Sequence, residues 1–288
     1  MKIAVTGASG FIGSALCGYL AQNGHSIVKL PHIIFEDDSI EDFETLLDGT
    51  DIFINLAGES TIGRWTDKKK EDIYNSRINV TRKLVETINS MKNKPRMLIS
   101  TSAVGYYKQD MIVDEDSKPD GERFLSKVCI DWEKEAEKVS DEVKLVILRF
   151  GVVMGKDGGF MPNIMKILKN GIKIDFGSGK QKVSWVHIDD LVRIYELIIE
   201  ENNEISKIIN CVSPDIVTME NIIDQLSEYI HPIIPIKIPS AILHTFLKEG
   251  ETLLTGSYEV NSIMLPRIGY IFIYDNFVKA AKELTEKS

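Results

Sequence analysis

The sequence predicts a doubly wound α/β fold, a parallel sheet with helices on both faces, carrying a smaller C-terminal substrate or cap domain. Three observations predict it. Short β-branched runs alternate with longer stretches of helical period through the first two-thirds of the chain. Those runs are near-continuously apolar, as strands are when both faces of a parallel sheet are covered. Their repeated strand–helix–strand order implies right-handed crossovers.

Strands are expected at residues 2–6, 26–30, 51–55, 96–100 and 144–149. Helices are expected at 11–23, 75–91 and 124–139, where apolar residues recur at spacings of three and four. Residues 33–48 are acidic and weakly patterned, and no element is assigned to them. After Arg149 the order is less regular: 151–159 reads as a glycine-rich loop, 160–170 as a helix and 182–187 as a strand. A helix then starts at Ile188 with Asp189 or Asp190 near its beginning, where a carboxylate accepts orphan N–H groups. The remainder holds helical patterns at 218–229, 241–255 and 276–286 around a stretch with Pro232, Pro235 and Pro239. The larger unit is therefore expected over 1–155 plus parts of 175–212, and the smaller one over 156–174 and 213–288.

A chain of 288 residues suggests one or two domains. With 43% hydrophobic and 27% charged residues it has the composition of an ordinary globular protein. The formal net charge of -9 argues against nucleic-acid backbones as partners. Cys17, Cys129 and Cys211 are too scattered for a disulfide framework or a zinc site, which fits a reducing compartment. The N-terminal run turns into glycines at once, leaving no room for a signal-peptide apolar stretch. No apolar run approaches the roughly 20 residues that span a bilayer. The expectation is a cytoplasmic, soluble protein with a small-molecule substrate and neither membrane nor nucleic acid as partner.

The strongest local signal is Thr6-Gly7-Ala8-Ser9-Gly10-Phe11-Ile12-Gly13, between an apolar strand and an amphipathic helix. Glycines let the backbone turn sharply and approach a pyrophosphate, and the helix end favours the anion. Gly7, Ser9, Gly10, Phe11, Ile12 and Gly13 are the candidate cofactor-binding residues; a plain strand-to-helix turn would need one glycine, not three at this spacing. The end of the second strand decides between cofactors. It reads Lys29-Leu30-Pro31-His32, with no carboxylate until Glu36, where readers of NAD carry an acid for the ribose 2′-OH. NADP(H) is favoured over NAD(H), with His32 as a part-time cation for the 2′-phosphate or, equally simply, an exposed loop residue.

The glycine spacing, Asn55-Leu56-Ala57-Gly58 after the third strand and Ser100-Thr101-Ser102-Ala103-Val104 after the fourth together resemble an extended short-chain dehydrogenase/reductase. Further stretches resemble its atypical sugar-nucleotide epimerase-like subgroup: Glu59 followed by Arg64-Trp65-Thr66 and Ser76-Arg77, Phe124-Leu125-Ser126-Lys127-Val128-Cys129 with Trp132-Glu133, and Arg149-Phe150-Gly151. Trp185-Val186-His187-Ile188-Asp189-Asp190 and Pro266-Arg267-Ile268-Gly269-Tyr270 extend the likeness over nearly the whole chain. The resemblance implies a Rossmann-type sheet in which Gly7, Gly10 and Gly13 cradle the cofactor phosphates. It implies too that Leu56, Ala57 and Gly58 pass beneath the cofactor.

Enzymes of that superfamily work with Ser or Thr, Tyr and Lys. Tyr transfers the proton, and Lys lowers its pKa while binding the nicotinamide ribose. Ser102 stands where the family's hydroxyl would be, but the Tyr-x-x-x-Lys element is absent: Arg123-Phe124-Leu125-Ser126-Lys127-Val128 supplies no phenol in either register. Lys127 is a candidate for a ribose hydroxyl, or an ordinary helix-surface lysine. Tyr106 and Tyr107, in the loop leaving the Ser102 strand, are candidate surrogates, since that end of an open α/β sheet is its ligand edge. Glu59 is a candidate contact to cofactor or substrate, and Arg64 with Trp65 suits an anionic or planar substrate group. His187 reads as a structural histidine, and residues 177–182 as a basic glycine turn that could grip a phosphate.

Two functions are consistent with these residues. One is an NADP(H)-dependent oxidoreductase or epimerase-like enzyme on a small, sugar- or nucleotide-like substrate, with Ser102 orienting the reacting oxygen. The other, motivated by the missing phenol–lysine pair, is a catalytically silent NADP(H)-binding regulator or redox sensor. Pairing of helices into a homodimer is common in the resembled superfamily and is the expected oligomer if one forms.

Overall fold

The computed structural model describes residues 1–31, 47–201 and 205–286. In chain order the first half contains β1 (Lys2–Thr6), α1 (Phe11–Gln22), β2 (Ser26–Leu30), β3 (Ile52–Asn55), α2 (Asp67–Ser90), β4 (Met97–Ala103), β5 (Ile112–Val113) and α3 (Phe124–Ala136). There follow β6 (Lys144–Phe150), β7 (Val152–Met154), α4 (Met161–Lys169), β8 (Ile172–Phe176), β9 (Lys182–Val183), β10 (Trp185–His187) and α5 (Ile188–Glu200). The chain closes with β11 (Ile208–Cys211), β12 (Val217–Thr218), α6 (Met219–Ile230), β13 (Ile234–Ile238), α7 (Ser240–Leu247), β14 (Glu259–Val260) and α8 (Phe277–Thr285).

Six strands form one parallel sheet in the order β11-β6-β4-β3-β1-β2, a Rossmann-type arrangement. Successive strand residues face opposite sides. Ile3, Val5, Ile52, Ile54, Ile99 and Leu148 accordingly pack with α1 and α5 on one face. Ala4, Phe53 and Leu98 pack with Leu84, Val85 and Ile88 of α2 on the other. The chain leaves β1 for β2 on one side and later returns to β3 on its other side, which makes the crevice above β1 and β3 the topological switch point. A second core draws on Met161, Ile164 and Leu168 of α4, Phe176, Trp185, Ile222 and Ile223 of α6, and Phe277 with Leu284 of α8.

Several boundaries differ from the sequence expectation for local reasons. Helix α2 starts eight residues before the apolar repeat, because Thr66 accepts from the Lys69 N–H and caps a polar first turn that stays outside the core. The expected strand 182–187 splits at Ser184 into β9 and β10, which pair with different partners, β12 and β7. The expected loop 151–159 contains β7, and the Phe11 ring occupies the space above Gly155 and Gly158. The pattern at 241–255 breaks after Leu247, where Gly250 lies against the Gly63 carbonyl and the Trp65 indole with no room for a Cβ. Among the described residues no helix is long and apolar enough to cross a membrane.

Candidate functional site

The glycine loop is built for close approach. Gly7 has φ +64°, and a Cβ there would lie 2.6 Å from the Leu56 carbonyl oxygen. At Gly13 a Cβ would lie 2.2 Å from the Gly7 oxygen, so the first turn of α1 packs directly onto the loop. Gly10 is the N-cap of α1 and no side chain caps the helix. The N–H groups of the first turn have no partner within the helix and present a partial positive charge beside exposed Ser9 and Gly10. Phe11 and Ile12 pack their side chains partly against the core, so at these two positions the backbone faces the loop.

Beneath the switch point runs a line of buried hydroxyls and amides. The Thr6 hydroxyl donates to Asn55 Oδ1 at 2.8 Å and accepts from the N–H groups of Leu56 and Ala57 at 3.1 and 3.2 Å. Asn55 Nδ2 and Trp132 Nε1 both donate to the Thr81 hydroxyl at 2.7 Å. The β3 exit is therefore fixed from below, and Leu56 and Ala57 run alongside Gly7. From above α2, Arg77 Nη1 donates to the carbonyls of Glu59 and Ile73, and its guanidinium covers Gly58. The Glu59 carboxylate is paired with Lys69 at 2.5 Å, and its N–H donates to Ser76.

The β4 end is organised by a pair that sequence reasoning did not single out as functional. Glu133 of α3 receives Arg149 Nε at 2.8 Å and Nη2 at 2.7 Å, both side chains being buried. Ser102, 1% exposed, donates to the same carboxylate at 2.5 Å. Arg149 Nη1 donates to the Tyr107 hydroxyl at 2.7 Å, which in turn donates to Asn210 Oδ1 at 2.8 Å. Tyr107 is fully buried, and burial pushes its phenol up to about 12 despite the neighbouring guanidinium. It is thus a member of the core network, enclosed away from the cleft. Tyr106 is half-buried with Arg149 3.5 Å from its ring centroid; burial raises its phenol and the guanidinium opposes the rise. Cys129, fully enclosed, has its thiol pushed up to about 11, chiefly by burial.

Other expected site residues are placed differently. Trp65 is 2% exposed, donates its indole N–H to the Thr61 carbonyl and meets the Phe124 ring edge-on at 5.4 Å. Its backbone N–H donates to the Leu247 carbonyl, and Lys70 pairs with Glu249, so this loop is tied to the chain just after α7 and the buried indole presents no face to a substrate. Arg64 and Lys127 are exposed. His32 lies outside the described residues. The 177–182 turn spends its polar groups internally: the Lys180 N–H goes to Ser178 Oγ, and Gln181 Nε2 goes to the Phe176 and Leu254 carbonyls. The cap of α5 is His187, whose Nδ1 accepts from the Asp189 N–H, and not either aspartate. Asp190 is buried instead against the C-terminal segment, accepting from the N–H groups of Ile273 and Tyr274.

Comparison with known proteins agrees with this geometry. The NAD dependent epimerase/dehydratase family model matches residues 3–211. The chain is 33% identical over 302 residues to the chloroplastic epimerase family protein SDR39U1 homolog of Arabidopsis thaliana, covering 98% of this chain and 85% of that one. It is 32% identical over 300 residues to the epimerase family protein YfhF of Bacillus subtilis, covering 99% and 98%. The crystal structure of the human epimerase family protein SDR39U1 with NADPH superimposes with a TM-score of 0.90 at 26% identity, covering 99% of both chains.

Proposed function

Starting from the fact that this chain belongs to the NAD dependent epimerase/dehydratase family, we propose that it is an NADP(H)-dependent oxidoreductase or epimerase-like enzyme. Its substrate is a small, sugar- or nucleotide-like molecule. The observation that carries the cofactor half is the cradle at Gly7 and Gly13, where a Cβ would meet backbone at 2.6 and 2.2 Å, set against an uncapped helix at the switch point. Gly7, Gly10 and the first-turn N–H groups of α1 would hold the pyrophosphate, and Leu56 to Gly58 would line its nicotinamide side. Bound NADP(H) supplies or accepts hydride at the nicotinamide C4. The preference for the phosphorylated cofactor rests on the Lys29-Leu30-Pro31-His32 sequence, which carries no carboxylate before Glu36. The human relative's structure with NADPH supports it.

A thermal-unfolding titration with NADPH and NADH on cofactor-free protein tests this reading. At 100 times its dissociation constant a ligand adds about 2.7 kcal/mol, a shift of several degrees. A response to NADPH well above that to NADH is expected; a reversed order overturns the selectivity argument, and silence from both overturns the cofactor site.

A second reading, a silent NADP(H)-binding regulator, is favoured by one observation: Ser102 and Tyr107 are already engaged with Glu133, Arg149 and Asn210. Oxidation of bound NADPH by any carbonyl compound in a metabolite screen removes it.

A further inference from the structure

The start of α3, where the resembled superfamily places its phenol, holds Arg123 and one turn later Lys127: the cations are present and the phenol is missing. We propose that Tyr258, packed beside Tyr106 at the end of β4, is the proton-transferring phenol of this site. The inference rests on the cofactor reading above and deepens it.

Three tyrosines meet at this corner. Tyr107 is enclosed and hydrogen-bonded on both sides. Tyr106 lies with its ring face covered by the Arg149 guanidinium, 3.5 Å from the ring centroid. Tyr258 is half-buried, packed with Tyr106 on the small apolar nest of Val104, Tyr107, Val113, Val212 and Val260. Its hydroxyl oxygen accepts from Gln109 Nε2 at 3.1 Å, so its own proton is left to donate elsewhere. The groups acting on it electrostatically are Arg123, Asp120 and Cys129. Arg123, whose Nη1 lies 3.8 Å from Asp120 Oδ2, favours the phenolate and Asp120 opposes it, while burial holds the phenol protonated, the state a proton donor needs.

The side chain is also held in place. The Tyr258 N–H donates to the Lys182 carbonyl, its own carbonyl accepts from Ser184 Oγ, and Gly256 leaves the ring's Cε2 edge without slack, since a Cβ there would lie 3.2 Å away. Such preorganisation is what proton transfer requires. In the reductive direction the Tyr258 O–H bond breaks and its proton forms the new O–H bond of a substrate carbonyl. The carbonyl carbon accepts hydride from reduced nicotinamide in the same step. The phenolate is held by the Gln109 N–H and the Arg123 charge until solvent returns a proton; the oxidative direction reverses each transfer.

The test uses the full-length protein labelled with 13C at tyrosine Cζ, with Tyr258→Phe assigning the line and nicotinamide fluorescence reporting cofactor occupancy in the same samples. Saturating NADPH is expected to move the Tyr258 line and leave the Tyr107 line in place. The Tyr258 alkaline titration is expected at lower pH with NADP+ bound than without cofactor, and at higher pH in Arg123→Gln, whose side chain is exposed and pairs with Asp120 at 3.8 Å; an unmoved Tyr107 line shows that this variant keeps its fold. A Tyr258 line indifferent to bound cofactor, or a titration unmoved by Arg123→Gln, overturns the assignment while the cofactor site stands. Fluorescence showing no NADPH bound overturns the cofactor reading, and this assignment with it.

Discussion

Arg149 and Glu133 form a two-pronged ion pair, at 2.8 and 2.7 Å, that ties the middle of the sheet to α3 directly below the β4 exit. Two buried charges are tolerated here because all three guanidinium nitrogens find an acceptor: Ser102 adds a third hydrogen bond to the carboxylate, and Arg149 Nη1 donates to Tyr107.

Removing one partner leaves the other charged, buried and unpaired. Arg149→Met should therefore destabilise by about 3–5 kcal/mol, whereas Arg149→Met with Glu133→Leu should recover much of that loss. Urea denaturation of the two variants checks this; equal losses would show that packing, not the charge pair, carries the site.

Tyr107 makes an alkaline prediction. Its folded pKa, about 12, lies above the ordinary value of 10, so the folded state keeps a proton that the unfolded chain releases. Stability is full below pH 10 and falls as pH rises from 10 towards 12, by roughly 2–3 kcal/mol for this group. Tyr107→Phe should flatten that limb by about one proton's slope while lowering stability at neutral pH through the lost bonds to Asn210 and Arg149. Unfolding midpoints measured across the alkaline range read both effects.

Gly13→Ala places its methyl 2.2 Å from the Gly7 oxygen, so the loop must shift. NADPH affinity should fall by on the order of tenfold or more, equivalent to about 1.4 kcal/mol. Gly18→Ala on the same helix meets nothing within 4 Å and should bind as the wild type does. Isothermal titration of both variants separates loop geometry from helix propensity.

Asp190 anchors the C-terminal segment: Tyr270 Oη lies 2.8 Å from its Oδ1, and the N–H groups of Ile273 and Tyr274 donate to the two carboxylate oxygens. Asp190→Ala should cost at least about 1.5–3 kcal/mol. It should also expose the bond after Arg267 to trypsin, with Tyr270→Phe intermediate. Fragment mass spectrometry identifies the cut; unchanged resistance would mean that Leu265 packing alone holds the segment.

How much of this was legible depended on sequence distance. The glycine cradle and the apolar strands are local patterns, and the structure follows them from Lys2 to Phe150 with shifted ends. The Glu133–Arg149 pair is sixteen positions apart on different elements, although a cue existed: an arginine inside the covered apolar run 144–150 must find a partner. Asp190 was misread as a cap because helix-start chemistry is a local rule, while its true partners lie about eighty residues downstream. The burial of Trp65 was illegible for a related reason. An exposed-looking loop of glycine, arginine and tryptophan gives no sign that Gly250 leaves a seat for the indole.

That seat turns one tryptophan into an internal gauge. Trp132 and Trp185 donate their indole N–H groups to Thr81 and Asp215, whereas Trp65 touches Phe124 on one side and Gly250 on the other. Any slip of the segment around Gly250 past Phe124 must unseat this indole and change its surroundings. Its emission spectrum therefore reads out whether this contact stays closed without an added dye, and stopped-flow recording of that emission would show whether it opens as a cofactor enters.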